Sequence, residues 1–204
     1  MRIGTQWTIA AALAALWLAM LLGGGGPVDR GLLFALHSGE QPGIALAAAV
    51  FTFIGNGTSL IPITLAAAAW IAYRHKPAPA LVLLASTLTG RMLVVLQKLW
   101  FARLRPDEEL RLVDVHYLSF PSGHAANSAM VFVAIALLLP APRHRAVALW
   151  AAALLSLLVG LSRPMLGVHW PSDVVAGWAF GILWLILSYR AAVWVVPRLH
   201  LDLK

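Results

Sequence analysis

Apolar runs long enough to cross a bilayer recur along this chain, and nothing constrains its fold more. A helix needs about 20 largely apolar residues to cross a hydrocarbon core of about 30 Å. Five such runs are plain, near residues 7–22, 79–99, 125–139, 146–161 and 174–196. Composition agrees: 61% of the residues are hydrophobic and 11% charged, against about 45–50% and about 25% in soluble domains. A single Arg2 precedes the first run, as in a signal peptide. The following Gly23, Gly24, Gly25, Gly26 and Pro27 make a poor cleavage site, so the run is expected to stay as an anchor.

Residues 43–73 need a different solution, since one straight helix of that length reaches about 46 Å and overshoots the membrane. Gly55, Asn56 and Gly57 break it. The expected arrangement is a short interfacial helix over 44–54, a turn, and a sixth span over 58–73. A second amphipathic piece over 28–37 is expected to lie along the surface. The predicted fold is therefore all-α: an integral membrane bundle of about six transmembrane helices with short interfacial helices, forming one domain over 1–204. The absence of cysteine excludes disulfides, thiolate metal sites and cysteine nucleophiles.

The net charge of +7 raises nucleic acid or acidic lipid as partners, but the positions of the charges point elsewhere. Arg2, Arg74, Lys76, Arg143, Arg145, Arg190, Arg198 and Lys204 fall on one side of the predicted bundle, which the positive-inside rule makes cytoplasmic. The opposite side holds seven of the eight acidic residues. It also holds Lys98, Arg103, Arg105, Arg111 and Arg163, which the orientation rule does not explain. Those cations call for a chemical reason, and no nucleic-acid partner is expected.

Three clusters supply it. Lys98 and Arg105-Pro106 stand at the outer end of one span, where a plain basic anchor is the simple alternative. Pro121-Ser122-Gly123-His124 opens the next span, where Ser122 suits an N-cap, and a helix start also offers amides to a phosphate. Ser162-Arg163, His169 and Ser172-Asp173 cross into the last span, where the final pair suits a helix cap. Hydropathy alone puts all three clusters on one face of the membrane. Together they make a cage of anion donors with two histidines and one carboxylate.

In order and spacing, K-x6-RP, PSGH and SR-x5-H-x3-D over residues 98–173 resemble the type 2 phosphatidic acid phosphatase (PAP2) family of integral membrane lipid phosphatases. The resemblance implies His169 as nucleophile, His124 as general acid and Asp173 orienting His169. It implies Lys98, Arg105, Ser122, Gly123 and Arg163 as phosphate-binding residues. The chemistry points the same way: a neutral imidazole attacks phosphorus, a carboxylate on its other nitrogen fixes the tautomer, and a second histidine protonates the leaving oxygen.

No metal or other cofactor is expected, because Asp107, Glu108 and Glu109 form a single local run that reads as a solvated loop face. His37, His75, His116, His144 and His200 are assigned no role, and most of the nine tryptophans read as belt and packing residues, with Trp170 able to wall the site. Arg91, seven residues before Lys98 on nearly the same helix face, is expected to face the bundle in a structural role. The expected substrate is a membrane lipid phosphate or diphosphate. The family suggests undecaprenyl pyrophosphate, phosphatidylglycerol phosphate or phosphatidic acid, met at the outer interface of the plasma (inner) membrane if the chain is bacterial. No obligatory protein partner is expected. The competing classes are a phosphotransferase with the same intermediate and a lipid or anion transporter that binds without cleaving.

Overall fold

The structure is a computed structural model that describes residues 3–74, 77–115 and 118–195. Arg2, His75, Lys76, His116, Arg198, His200 and Lys204 lie outside the described residues. The described chain is helical: α1 (Ile3–Gly23), α2 (Pro27–Leu36), α3 (Pro42–Ile54), α4 (Gly57–Arg74), α5 (Pro77–Phe101), α6 (Gly123–Leu138), α7 (Arg145–Met165) and α8 (Pro171–Val195). Short 3-10 turns occupy Glu108–Leu110 and Pro142–His144. Four of the eight helices begin with proline, at 27, 42, 77 and 171. Its fixed φ suits the first helical position, and its missing N–H is one the helix would leave unpaired there.

By length and apolarity, α1, α5, α7 and α8 each suffice to cross a membrane, and the bent pair α3–α4 makes a fifth if counted as one span. Apolar α6, with 16 residues, is shorter. The described residues thus make an all-helical integral membrane bundle with four spans by length and apolarity, or five with the bent pair counted as one, beside the about six expected.

The expectation of α3 as a separate interfacial piece is corrected. Its residues Ala48 and Thr52 lie against Leu166, Val168 and Ser162 at the end of α7, and the following Gly55 approaches Val159 and His124. So α3 runs alongside α7 and passes into α4 through a bend of 45°.

Small residues decide how closely the helices meet. α6 buries Ala125, Ala126, Ala129, Ala134 and Ala136, and α8 faces it with Gly177 and Gly181. A Cβ on Gly177 would fall 2.6 Å from the Ser122 carbonyl oxygen, and one on Gly181 would fall 2.7 Å from that of Ala126. Such small-xxx-small spacing lets backbones touch where lipid gives no hydrophobic drive to association. Tryptophans fill the wider gaps and place their N–H groups on carbonyls: Trp178 donates to Ser156 at 3.1 Å and Trp184 to Ser86 at 3.0 Å. The large apolar side chains left outside, among them Leu88, Met92, Trp150 and Trp194, are exposed, as a lipid-facing surface requires. α1 lies along α8, pinned by Trp17, which donates to Gln97 at 3.0 Å and packs on Phe101 and Phe120.

The α6–α8 contact yields a test. Gly177→Leu forces a branched side chain into backbone, which costs at least about 1–3 kcal/mol. The expected outcome is a clear drop in thermal unfolding temperature in detergent, or loss of the monodisperse species. An unchanged melting curve would mean that the two helices do not meet this closely.

Candidate active site

The close approach of α6 and α8 sets the geometry of the site. With Gly177 against the start of α6, the Ser122 amide donates to the Asp173 carbonyl at 2.9 Å. This joins the PSGH segment to the first turn of α8. The segment before α8 turns back at Gly167, whose φ of 70° is left-handed and suits a residue without Cβ. That turn brings His169 over the top of α8, at 2% exposure.

Asp173 is fully buried and meets four donors. Its Oδ2 lies 3.3 Å from His169 Nδ1, accepts the Trp170 amide at 3.1 Å and accepts the Ser119 hydroxyl in a short hydrogen bond. Its Oδ1 accepts Arg103 Nη1 at 2.9 Å. Ser119 Oγ also lies 3.2 Å from His169 Nδ1. With the proton on Nδ1 shared toward Asp173, His169 keeps its Nε2 lone pair free. Burial, then the charges of Arg105, Lys98 and Arg163, hold the His169 imidazole well below its ordinary value, so it stays neutral at pH 7.

The cations surround this pair. Lys98 Nζ donates to the Leu118 and Ser119 carbonyls at 2.7 and 2.9 Å, which fixes the serine facing Asp173. Arg105 donates to the Val168 carbonyl at 2.5 Å. Burial, partly opposed by Asp173, lowers its guanidinium to about 10, so it remains charged. Arg163 donates to Thr52 Oγ1 at 2.7 Å, and its buried Nε has no partner among the described residues. Buried Ser122 Oγ has none either. Ser122 occupies the N-cap position of α6 without a side-chain cap bond, so the simple capping role does not hold for it. Gly123 lies near Lys98 Cε, and His124 is within electrostatic reach of Arg163, Arg105 and Lys98.

All eight residues singled out from the sequence therefore gather at one end of the bundle. Four further residues escaped the sequence reading. Arg103 pairs with Asp173, donates to the Met20 and Leu21 carbonyls at 3.1 and 2.6 Å, and lies 4.3 Å over the Phe120 ring. Its signal was its place among outer cations that the orientation rule left unexplained. Ser119 and Thr52 carry no pattern that marks them. Asp29, a buried acid in amphipathic α2, accepts the Ser172 amide at 2.9 Å, the Ser172 hydroxyl at 2.5 Å and the Gly25 amide at 2.7 Å. It caps α8 from another helix. Of the two candidate caps, Ser172 instead donates to Asp29, while Asp173 accepts the Trp170 amide from the third position of α8, the reach-back of a capping box.

Around the rim, His37 bonds the Leu110 carbonyl at 2.8 Å, a tie for the outer loop where no role was expected. Trp170 is buried, donates to the Leu104 carbonyl at 3.0 Å and carries Arg30 at 5.9 Å from its ring, so it walls the site. Asp107, Glu108 and Glu109 are exposed, with Glu108 meeting Arg111 at 3.2 Å. Among the described residues no three His, Cys, Asp or Glu gather as a metal-holding group.

A buried histidine–carboxylate pair ringed by cations at one end of a helical membrane bundle is an arrangement suited to phosphoryl transfer. The family model of the PAP2 superfamily matches residues 79–197, and the chain belongs to that superfamily. Over 153 residues it is 33% identical to phosphatidylglycerophosphatase B of Bacillus subtilis (strain 168), covering 72% of this chain and 75% of that protein. Over 130 residues it is 32% identical to undecaprenyl-diphosphatase of Sulfolobus acidocaldarius, covering 59% and 57%. The crystal structure of a transmembrane PAP2 type phosphatidylglycerolphosphate phosphatase from Bacillus subtilis superposes with a TM-score of 0.84 at 28% identity, over 94% of this chain and 98% of that one. The expectation of a membrane hydrolase of the lipid phosphatase class is borne out at the level of the family.

The Asp29 cap is open to measurement. Asp29→Ala leaves two amides and a hydroxyl without their acceptor, and buried donors so stranded cost about 1–3 kcal/mol each. The expected outcome is a thermal transition several degrees lower in detergent, with Asp29→Asn in between. Equal melting of all three proteins would remove Asp29 from the support of α8.

Proposed function

We propose that this protein hydrolyses a lipid phosphate or diphosphate without a metal ion, through a phosphohistidine on His169. The observation that carries the reading is the buried His169–Asp173 contact of 3.3 Å within a ring of Lys98, Arg105 and Arg163. A transporter needs to bind an anion but has no use for an imidazole oriented by a carboxylate. The substrate classes are undecaprenyl pyrophosphate and phosphatidylglycerol phosphate, in line with the activities named for the relatives, and phosphatidic acid, in line with the family resemblance.

In the first step His169 Nε2 attacks the terminal phosphorus while the bond to the leaving oxygen breaks. Asp173 takes up the positive charge that develops on the ring by accepting its Nδ1 proton in a hydrogen bond. His124 gives the leaving oxygen its proton. Lys98, Arg105, Arg163, the Ser122 hydroxyl and the Gly123 amide bind the equatorial oxygens, and the unpartnered Ser122 Oγ and Arg163 Nε find acceptors there. Water then attacks the phosphohistidine and passes its proton to His124. The P–N bond breaks, its electrons return to Nε2, and phosphate departs. A second lipid or sugar in place of water would make the same protein a phosphotransferase.

In this reading six passes cross the plasma membrane, with bent α3–α4 as one of them and α6 as a short one, and the site faces away from the cytoplasm. Tails stay in the bilayer while the phosphate enters from the interface.

The decisive experiment is phosphate release from a panel of lipid phosphates in EDTA. Turnover is expected to persist, and His169→Ala to abolish it for every leaving group. His124→Ala should slow the first step on a lipid monophosphate at least about 100-fold while sparing an activated aryl phosphate, which departs unprotonated. Equal single-turnover losses on both substrates would make His124 a binding group. Loss of wild-type activity in EDTA with recovery in Mg²⁺ would sink the metal-independent mechanism.

Sidedness has its own test, since the natural chain has no cysteine to interfere. Glu109→Cys should react with an impermeant thiol reagent applied to intact cells, and His144→Cys should not. The opposite labelling would invert the topology.

A further inference from the structure

Beside the phosphate-binding end, α4, α5 and α6 border a groove of about 410 Å³ that opens on the lipid-facing surface at Leu88, with Leu60, Leu84 and Met130 among its mostly apolar walls. Four polar side chains also line it: Thr64 and Thr87, whose hydroxyls donate to carbonyls of their own helices, and Arg91 from α5 and Asn127 from α6. Neither Arg91 nor Asn127 belongs to the three motifs, and the steps above use neither.

Arg91 faces the bundle, as its sequence position predicted, but no carbonyl, hydroxyl or carboxylate among the described residues holds it. Its guanidinium reaches the turn between α3 and α4: a Cβ added to Gly57 would fall 2.2 Å from Arg91 Nη2 and 3.2 Å from its Cζ. Asn127 Oδ1 is buried with no partner. Asn127 Nδ2 and Lys98 Cε each lie 3.9 Å from the place a Cβ on Gly123 would take. Lys98, Gly123 and Asn127 thus adjoin one another, and Asn127 and Arg91 line the same groove. Arg91 is also one of the cations whose field reaches His124.

The direction of the displacement gives this arrangement a meaning. In the proposed mechanism the leaving group departs opposite the attacking nitrogen and takes its proton from His124, and Arg91 is on the His124 side of the site, with His124 near Gly55 and Arg91 near Gly57. An arginine without a protein partner at membrane depth is costly, so an anion arriving there gains more than it would in water. An ester that joins the leaving oxygen directly to an uncharged glyceride brings no such anion.

We propose that Arg91 and Asn127 form a second anion subsite, which selects lipid phosphates whose leaving group carries a phosphate of its own. That phosphate is either joined through the bridging oxygen of a diphosphate or set beyond a glycerol linker. The apolar groove receives the first part of the tail. This inference rests on the phosphatase reading above and narrows its substrate class.

The test compares matched pairs on the full-length protein in detergent: a prenyl diphosphate against its monophosphate, and a phosphatidylglycerol phosphate against a phosphatidic acid with the same acyl chains. In Arg91→Gln the ratio of kcat/KM, phosphate-bearing over plain leaving group, should fall at least about 10-fold in one pair, because a charge-assisted contact is lost. Arg91→Lys should recover part of it. The pair that responds identifies the source of the second phosphate. Unchanged ratios in both pairs would overturn the subsite and leave Arg91 structural. If Arg91→Gln does not fold, Asn127→Asp sets a repelling carboxylate at the same place and should lower the same ratio.

Binding of a prenyl methylenediphosphonate and a prenyl monophosphonate, each compared between wild type and Arg91→Gln, separates the two proposals. A wild-type protein that hydrolyses none of the four lipids fails the phosphatase reading alone. Loss of the preference for the diphosphonate in Arg91→Gln would still support the subsite, and its persistence would overturn it for diphosphates.

Discussion

A carboxylate with no access to solvent, Asp173, is the group on which the outer half of this molecule converges. Burying an ionised carboxylate is tolerable only when it is paired and fully hydrogen-bonded. Here the donors come from widely separated parts of the chain: Arg103 and Ser119 from the loop after α5, Trp170 and His169 from the segment before α8. The same residue's carbonyl accepts the first amide of the PSGH turn. Its charge is therefore the reason these loops hold one arrangement, and the histidine at its Nδ1 inherits that rigidity.

Arg103 extends the network in the other direction. Its second nitrogen takes the Met20 and Leu21 carbonyls, which the last turn of α1 leaves without helical partners. One guanidinium thus satisfies the end of α1 and neutralises the centre of the site. Asp29 does the converse for α8, serving free amides at a helix start. In a bilayer, where backbone groups find no water in the core, helix ends that sit below the surface need such partners from neighbouring helices. The polar chemistry and the termination of the spans are one problem here, solved with the same side chains.

How much of this was legible beforehand follows from the range of each signal. Apolar runs and glycine breaks are local, and they located every α-helix to within a few residues, including the break at Gly55-Asn56-Gly57. The three motifs named all eight expected residues, because their spacing records a shared chemistry. What the sequence did not carry was anything that depends on a bend angle or an approach distance. The 45° bend turned a supposed surface helix into a partner of α7, and only that brings Thr52 to Arg163. Ser119 is one serine among several, and it acquires its place beside Asp173 only because Lys98 holds the carbonyls of Leu118 and Ser119. Asp29 came nearest to being legible, as a lone acid in an otherwise apolar amphipathic helix.

The balance of charge explains why the cage is built as it is. Lys98, Arg105 and Arg163 crowd a region where Asp173 is the carboxylate at the centre, and Arg103 already neutralises it. Lys98, Arg105 and Arg163 still outnumber the carboxylates at this end of the bundle among the described residues, so the site is poised for an anion. Fixed donors aimed at such a position do not need to reorient when charge moves during reaction. The same imbalance works on His169: surrounding cations and burial both oppose its protonation, which keeps the imidazole neutral until phosphorus accepts its lone pair. A dianionic phosphate seated among these cations would cancel much of their field at both histidines. In the proposed mechanism, one electrostatic event would then both seat the phosphate and relieve the crowding of like charges that the fold builds there.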